Sequence, residues 1–293
     1  MRTALESFSR YVPVGVVRDL LGRGEAARIG GRIEVLSVLF SDIHDFTAIA
    51  ESMGPDLLAR HLTDYFGAIQ EVLDQHHATV DKFIGDAVLA FWGAPHFDPL
   101  HALHAVQAAL ACRQKIAEFN RAAAARGQPP LRTSFGIATG PVVVGNVGSP
   151  SRLNYSVLGN TVNIASRLEG INRHYGTDIL VSKAVVEATG DTFLWRRVDC
   201  VAVKGAASAM EIYEPLGARG QVPDEIIAFK TAYEAGLAAY QSRAFQEAVA
   251  IFSRLNEKHP DNQSVQVLLR RSREAEANPP SADGDLTFRF QSK

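Results

Sequence analysis

Residues 79–92 read TVDKFIGDAVLAFW. Two short apolar runs, Thr79–Ile84 and Ala87–Trp92, flank the pair Gly85-Asp86, a combination that favours a tight turn. The stretch therefore predicts a β-hairpin that carries an acidic side chain at its tip.

A second acidic residue follows another apolar run of strand length, residues 35–40 (VLSVLF), which ends at Ser41-Asp42. A carboxylate at a buried strand end is costly unless it is paired or binds a cation. If this strand lies beside the hairpin, Asp42 and Asp86 converge, and two converging carboxylates suit Mg²⁺. Taken singly, Asp42 and Asp86 are equally compatible with ordinary turn residues.

The third informative stretch is residues 154–169, NYSVLGNTVNIASRLE. Asn163 and Arg167 are four positions apart, so they share one face of the predicted helix. A guanidinium matches phosphate oxygens in a fork geometry and stabilises developing negative charge, and a neighbouring amide can hold a ribose. The alternative is a helix with a solvated arginine and a capping asparagine.

Taken together, these segments resemble the class III adenylate and guanylate cyclases. The resemblance covers about residues 33–214, and the strings at 40–47, 81–95 and 155–169 are similar to the three signature blocks of that family, in order. The succession of strand, helix, hairpin, helix and strand predicts an α+β fold. We expect a ferredoxin-like, antiparallel-rich sheet with helices on one face and a C-terminal helical hairpin.

The resemblance implies a metal site and a base-selecting site. Asp42 and Asp86, helped by the carbonyl of Ile43, would hold two Mg²⁺ or Mn²⁺ ions. Lys82 is similar to the lysine that hydrogen-bonds a purine ring acceptor, and Ser156 occupies the second base-selecting position.

The resemblance also implies three residues that hold the rest of the nucleotide. Asn163 would orient the ribose, and Arg167 would stabilise the transition state at the α-phosphate. Lys204 would reach the terminal phosphates, although the family often has a further basic residue after the glycine, where this chain has Ala206.

Base choice depends on Lys82 and Ser156. A lysine only donates hydrogen bonds, which fits the ring acceptors of adenine, whereas guanylate cyclases typically have an acidic residue at this position. Position 156 is commonly Asp or Thr in adenylate members and Cys in guanylate members. The Ser156 hydroxyl can accept a hydrogen bond from the adenine amine, but it can also donate, which leaves GTP open as a side substrate.

The implied activity is that of an adenylate cyclase, in which the ribose 3′-hydroxyl of ATP attacks the α-phosphate to give cyclic AMP and pyrophosphate. In this family the active site lies between two catalytic domains, so the implied active form is a head-to-tail homodimer. The main alternative is a catalytically silent module that binds nucleotide. Such modules typically lose a metal aspartate or the arginine, and this chain has both.

The domain organisation is predicted from composition and periodicity. Residues 1–32 suggest a helix (residues 9–21) and a connector, 33–216 the catalytic domain, 217–275 a helical hairpin similar to a tetratricopeptide unit, and 276–293 a disordered tail. A hairpin is also expected over residues 131–147, turning at Gly140-Pro141. Since one repeat cannot bury its own apolar face, the C-terminal helices are expected to pack on the catalytic domain or on a protein partner.

The overall composition limits the classes of partner and the cellular location that the chain can have. The net charge of −2 argues against a nucleic-acid partner, and the two cysteines, Cys112 and Cys200, are too few for a disulfide framework. Neither a signal peptide nor an apolar run of about 18 residues is evident. We therefore expect a cytoplasmic chain without a membrane span, with the alternative that it is the cytosolic part of a longer membrane-anchored protein.

Overall fold

The computed structural model of the chain describes residues 29–149, 151–203, 209–281 and 285–290. These residues form two compact units, one extending to Glu169 and the other beginning at Gly170. The helix predicted over residues 9–21 lies outside the described residues, as does Lys204.

Within its described residues, the first unit is built on five antiparallel strands in the order β2–β3–β1–β4–β5. Its elements are β1 (Gly30–Ile43), α1 (Phe46–Ser52), α2 (Pro55–Gln75), β2 (Thr79–Ile84), β3 (Ala87–Trp92), α3 (His101–Ala125), β4 (Thr133–Ser149), β5 (Arg152–Leu158) and the first part of α4 (Asn160–Tyr175). All six residues of β3 are buried, as expected for a strand that is covered on both faces.

Helices α2 and α3 contact one face of this sheet, and α4 contacts the other. The Tyr65 hydroxyl of α2 hydrogen-bonds Thr133 Oγ1 at 2.7 Å, and His101 of α3 hydrogen-bonds Ser37 Oγ at 2.8 Å. Gly136, whose pleat position faces the opposite way, lies against the backbone of α4. The expected α+β, antiparallel-rich fold is confirmed. The helices were expected on one face of the sheet; α2 and α3 do share a face, but α4 lies on the other.

The hairpin expected over residues 131–147 is absent, because β4 runs without interruption from Thr133 to Ser149 and pairs with β1 from Thr133 to Asn146. Gly140 is required for close packing rather than for a turn, since a Cβ there would lie 2.8 Å from Thr161 Oγ1 of α4. Pro141 precedes the segment of β4 that pairs with β5, so its missing N–H interrupts no bond of that ladder.

The second unit has a sheet in the order β6–β8–β7–β9, in which only the short pairing of β7 with β9 is parallel. Its elements after α4 are β6 (Ile179–Ser182), α5 (Lys183–Thr189), β7 (Phe193–Val203), β8 (Met210–Ala218), α6 (Asp224–Gln241), α7 (Phe245–Lys258), α8 (Gln263–Ala277) and β9 (Phe288–Phe290). No helix in these or the other described segments is both long and apolar enough to cross a bilayer.

The C-terminal region contains three helices in the described residues, where a two-helix hairpin was expected. Gly236 allows α6 to approach α7 closely, since a Cβ there would lie 2.8 Å from the ring of Phe252. A buried ion pair between Arg271 of α8 and Asp199 of β7 joins the helices to the sheet, and the Tyr175 hydroxyl donates a hydrogen bond to Asp199 at 2.6 Å. The helices therefore bury their apolar faces within this unit.

Part of the segment expected to be disordered is ordered. Strand β9 pairs with β7, and its Phe288 ring stacks on His174 with the ring centroids 4.7 Å apart. Phe290 meets the same histidine edge-on at 5.2 Å. The packing of Phe288 and Phe290 on the His174 ring explains why β9 is ordered although the residues that precede it are polar and contain two prolines.

Replacing Gly136 by alanine should destabilise the first unit. The added Cβ would overlap the carbonyl oxygen of Ala165 and the backbone nitrogen of Glu169, neither of which can rotate away as a side chain can. We expect Gly136→Ala to lower the free energy of unfolding by about 2 kcal/mol or more, measured by urea denaturation.

The matched control is Gly170→Ala in the same helix, where no atom lies within 4 Å of the added methyl group. Alanine is favoured over glycine in a helix by roughly 1 kcal/mol, so this variant should be as stable as the parent or more stable. Equal stabilities for the two variants would contradict the packing of α4 on β4.

Candidate active site

Two carboxylates meet where β1 ends. Asp42 is the penultimate residue of β1, and Asp86 lies in the turn between β2 and β3. The register of β1 and β3 brings the end of β1 alongside this turn. Asp86 Oδ2 accepts a hydrogen bond of 3.3 Å from the backbone N–H of Ile43. The structure thus places the three residues predicted as metal ligands in one cluster.

The buried hydroxyl of Tyr65 lies within electrostatic reach of both carboxylates. Burial raises the pKa of Tyr65 well above its usual value, and the negative charges of Asp86 and Asp42 raise it further. The tyrosine is held by Thr133, its hydrogen-bond partner on β4. Both aspartates therefore lie near one point on the sheet, with a neutral phenol beneath them.

The donor atoms of this cluster fit a hard divalent cation. Mg²⁺ takes few protein ligands and completes its octahedron with water and phosphate oxygens. Among the residues that the structure describes, no group of three or more His, Cys, Asp or Glu side chains could hold a metal by itself. A cation at Asp42 and Asp86 would therefore depend on further oxygen atoms, from the backbone and from a bound ligand.

A second polar cluster, the base cluster, consists of Asp81, Lys82 and Ser156. Lys82 Nζ donates to Ser156 Oγ at 3.3 Å and lies 3.1 Å from Asp81 Oδ1. The Ser156 hydroxyl donates a short hydrogen bond to Asp81 Oδ2. The Asp81 side chain is 1% exposed and that of Lys82 is 39% exposed, so the lysine covers a buried carboxylate while remaining accessible.

A β-bulge explains how neighbouring residues reach the same partner. The pairing of β2 with β3 shifts between Val80 and Lys82, which leaves Asp81 as the extra residue. In a regular strand Asp81 and Lys82 would point to opposite faces, but a bulge redirects one of the two side chains. The bulge thus allows both to contact Ser156 on β5.

Helix α4 presents Asn163 and Arg167 away from the sheet. The residues that face the sheet, Thr161, Ala165 and Leu168, are all buried. Asn163 is exposed, and Arg167 is half-buried with its Nη1 atom enclosed and without a hydrogen-bond partner in the described part of the chain. An arginine with unused donors is suited to an anionic ligand such as a phosphate.

The structure thus brings the predicted residues into three groups: the carboxylate cluster at Asp42, the base cluster at Lys82, and the outer face of α4. All three belong to the first unit. The prediction for Lys204 falls outside the described residues.

Comparison with known families identifies the family to which this chain belongs. The family model of the adenylate and guanylate cyclase catalytic domain matches residues 31–214. The chain belongs to this family. Cyclases of the family use divalent metal ions, in keeping with the oxygen donors at Asp42 and Asp86.

Curated relatives of this cyclase domain include adenylate cyclase 1 of Rhizobium meliloti, which is 42% identical over 74% of the chain, and an adenylate cyclase of Anabaena cylindrica, which is 34% identical over 73%. The matched regions are 32% and 43% of those two proteins. The chain therefore spans well under half the length of these curated relatives.

Solved structures agree with the fold. The adenylyl cyclase CyaB from P. aeruginosa is 30% identical with a TM-score of 0.61, covering 67% of this chain and 100% of that one. The guanylyl cyclase Cya2 is 33% identical with a TM-score of 0.60, covering 66% of this chain and 97% of that one. Relatives named for either base thus have the same architecture, and base choice must be argued from side chains.

Asp81 is the one residue of these clusters to which the sequence analysis assigned no role. In a regular strand Asp81 would lie on the face opposite to Lys82, and no feature of the local sequence predicts the bulge. One sequence feature could have indicated a role for Asp81: it is an acidic residue, next to a lysine, within a strand that is otherwise mostly apolar.

Proposed function

We propose that this cyclase domain is an adenylate cyclase that converts ATP to 3′,5′-cyclic AMP and pyrophosphate. The observation that carries the proposal is the 3.3 Å contact between Lys82 on β2 and Ser156 on β5. Lys82 supplies hydrogen-bond donors only, which suits a ring nitrogen of adenine, and Ser156 Oγ offers an acceptor to the exocyclic amine.

The carboxylate cluster is proposed to hold two Mg²⁺ or Mn²⁺ ions through Asp42, Asp86 and the carbonyl of Ile43. When bound, such ions acidify the ribose 3′-hydroxyl and neutralise charge on the triphosphate. The contribution of the chain is to hold Asp86 at the end of β1 through a hydrogen bond from the amide of Ile43, the residue that follows Asp42 in that strand. Positioning of this kind accounts for much of phosphoryl-transfer catalysis.

Arg167 and Asn163 are proposed to hold the phosphate and the ribose. Arg167 is half-buried and its Nη1 has no hydrogen-bond partner in the described part of the chain, so a movement of the guanidinium toward a phosphate would break no existing bond of that atom. Asn163 is exposed four residues earlier on the same face, within reach of a sugar hydroxyl. Lys204 remains proposed as a ligand of the terminal phosphates.

We infer that the active form is a head-to-tail homodimer in which one chain supplies the carboxylate cluster and the other supplies the base cluster and Arg167. An exposed apolar row in the first unit supports this. Ile33, Val143 and Leu158 are cross-strand neighbours on β1, β4 and β5, and they are 76%, 38% and 49% exposed. A second copy of the chain is the proposed occupant of this row.

The proposed layout has the catalytic domain at residues 33–216, the C-terminal helices from 217 to 275, and a tail thereafter. Ile226 and Ile227, about two-fifths exposed at the start of α6, offer a contact point for a protein partner. The proposed location is the cytoplasm, where two free cysteines remain reduced.

Purified protein should form cyclic AMP from ATP with Mn²⁺ or Mg²⁺, and much less cyclic product from GTP, CTP or UTP. Asp86→Asn keeps the size of the side chain and removes its charge. We expect this variant to lose cyclic AMP formation by about 100-fold or more, because the cations lose a charged ligand. Product is measured by chromatography with each nucleotide separately.

Asp74→Asn on the exposed side of α2 is the matched control and should retain parental activity. Cyclic GMP as the main product would overturn the choice of base. Absence of any cyclic product from a sample shown to be dimeric would favour the silent nucleotide-binding module instead.

The shared site can be tested by complementation. Asp86→Asn and Arg167→Ala should each be inactive alone, because each removes its group from both sites of a homodimer. In a mixed dimer one site carries both defects and the other carries none. Equal mixing should therefore restore about a quarter of the parental activity.

The control is a mixture of Asp86→Asn with Asp42→Asn, which affects the same half-site and should stay inactive. Activity that is not restored in the first mixture, after exchange of subunits has been verified, would contradict the shared site.

A further inference from the structure

The base cluster contains a buried carboxylate that the proposed reaction does not itself use. Asp81 touches Lys82 and Ser156, and with 1% of its side chain exposed it cannot meet a nucleotide directly. Burial of a carboxylate is unfavourable, and here it is offset by the adjacent ammonium group and the serine hydroxyl. The arrangement therefore acts on the two residues proposed to select the base.

Asp81 changes which hydrogen-bonding positions of Ser156 remain available. A serine hydroxyl has one hydrogen to donate and two acceptor positions. In this structure the hydrogen of Ser156 is given to Asp81 Oδ2, and one acceptor position is taken by Lys82 Nζ. What remains on Ser156, which is 4% exposed, is a single acceptor position.

The same count applies to Lys82. Its ammonium group has three N–H donors. One is given to Ser156, and the ammonium group also forms a 3.1 Å ion pair with Asp81 Oδ1 that is not a hydrogen bond, so Lys82 keeps donors for a ligand. Toward a nucleotide, Lys82 can therefore only donate, and Ser156, whose hydrogen is given to Asp81, can only accept.

We propose that Asp81 is a positioning residue that fixes the choice of adenine over guanine by holding the Ser156 hydroxyl as a hydrogen-bond acceptor toward the base. Adenine presents an amine donor beside a ring acceptor, whereas guanine presents a carbonyl acceptor beside an N–H donor, in the opposite order. Without Asp81, the Ser156 hydroxyl is free to rotate and donate to the guanine carbonyl. The inference rests on the proposed cyclase function and names the specificity device of its site.

The position of Asp81 beside Lys82 depends on the β-bulge in the backbone of β2. Because Asp81 is the extra residue of the bulge, it reaches the side of Lys82, where alternation would otherwise have directed it away. An aspartate placed there restrains both base-selecting side chains at once.

The experiment compares kcat/KM for ATP and for GTP in the parent, Asp81→Ala and Asp81→Asn. Asp81→Ala should lower the ratio of ATP to GTP by about tenfold or more, mainly through a higher KM for ATP and a gain with GTP. Asp81→Asn keeps one carbonyl acceptor for the serine hydroxyl, so it should retain part of the selectivity. A purely structural role would lower both activities together and leave their ratio unchanged.

The path through Ser156 is tested by a double-mutant cycle. In a Ser156→Ala background, Asp81→Asn should change the ATP to GTP ratio by less than about twofold, because the hydroxyl that it orients is gone. Full additivity of the two substitutions would overturn the inference, as would an unchanged ratio in both Asp81 variants. Asp74→Asn again controls for the loss of a charge, and melting temperatures verify folding.

Failure of the proposed function is distinguishable from failure of this inference. If the parent makes no cyclic nucleotide, the same variants are compared by competition of ATP and GTP against a fluorescent nucleotide analogue. A parental preference for ATP that falls in the Asp81 variants would support the inference for a silent module. A preference that Asp81→Ala and Asp81→Asn leave intact would overturn it, whether or not the chain is an enzyme.

Discussion

Strand β1 is hydrogen-bonded to β3 on one side and to β4 on the other, and this double pairing sets the position of every other part of the first unit. Because side chains alternate between faces, a slip of one residue would exchange the β1 residues that face α4 with those that face α2 and α3, and would shift Asp42 relative to the β2–β3 turn. The bond from the Ile43 amide to Asp86 exists only in the observed register. Core packing and the carboxylate cluster therefore depend on the same pairing.

Selectivity at the base cluster follows from a different constraint, the need to satisfy a buried carboxylate. Asp81 accepts the hydrogen of Ser156 and forms an ion pair with Lys82, so that Ser156 is left as an acceptor and Lys82 as a donor. The acidic and basic side chains thus act as one hydrogen-bonded network. Relatives named for adenylyl and for guanylyl activity share the fold, so the architecture alone does not distinguish them.

The second unit shows how a single helical repeat avoids exposing its apolar face. Helix α6 packs closely on α7 at Gly236, and a buried ion pair connects Arg271 of α8 to Asp199 of the sheet. Removing one partner of such a pair leaves a buried charge without compensation, which is strongly unfavourable. The helices are thus built into the second unit, together with the strand β9 that follows them.

The sequence by itself determined the hairpin at residues 79–92, the long helices and the α+β class, because these follow from local periodicity and turn chemistry. It also placed Asp42 at a strand end and Asp86 in a turn, which are local features, whereas their convergence required the pairing of β1 with β3. Tertiary structure alone decided that β4 continues through Gly140-Pro141, that α4 lies on the opposite face from α2, and that Asp81 joins Lys82 and Ser156. Each of these depends on contacts between residues far apart in the chain, 75 positions in the case of Asp81 and Ser156, which no local pattern encodes.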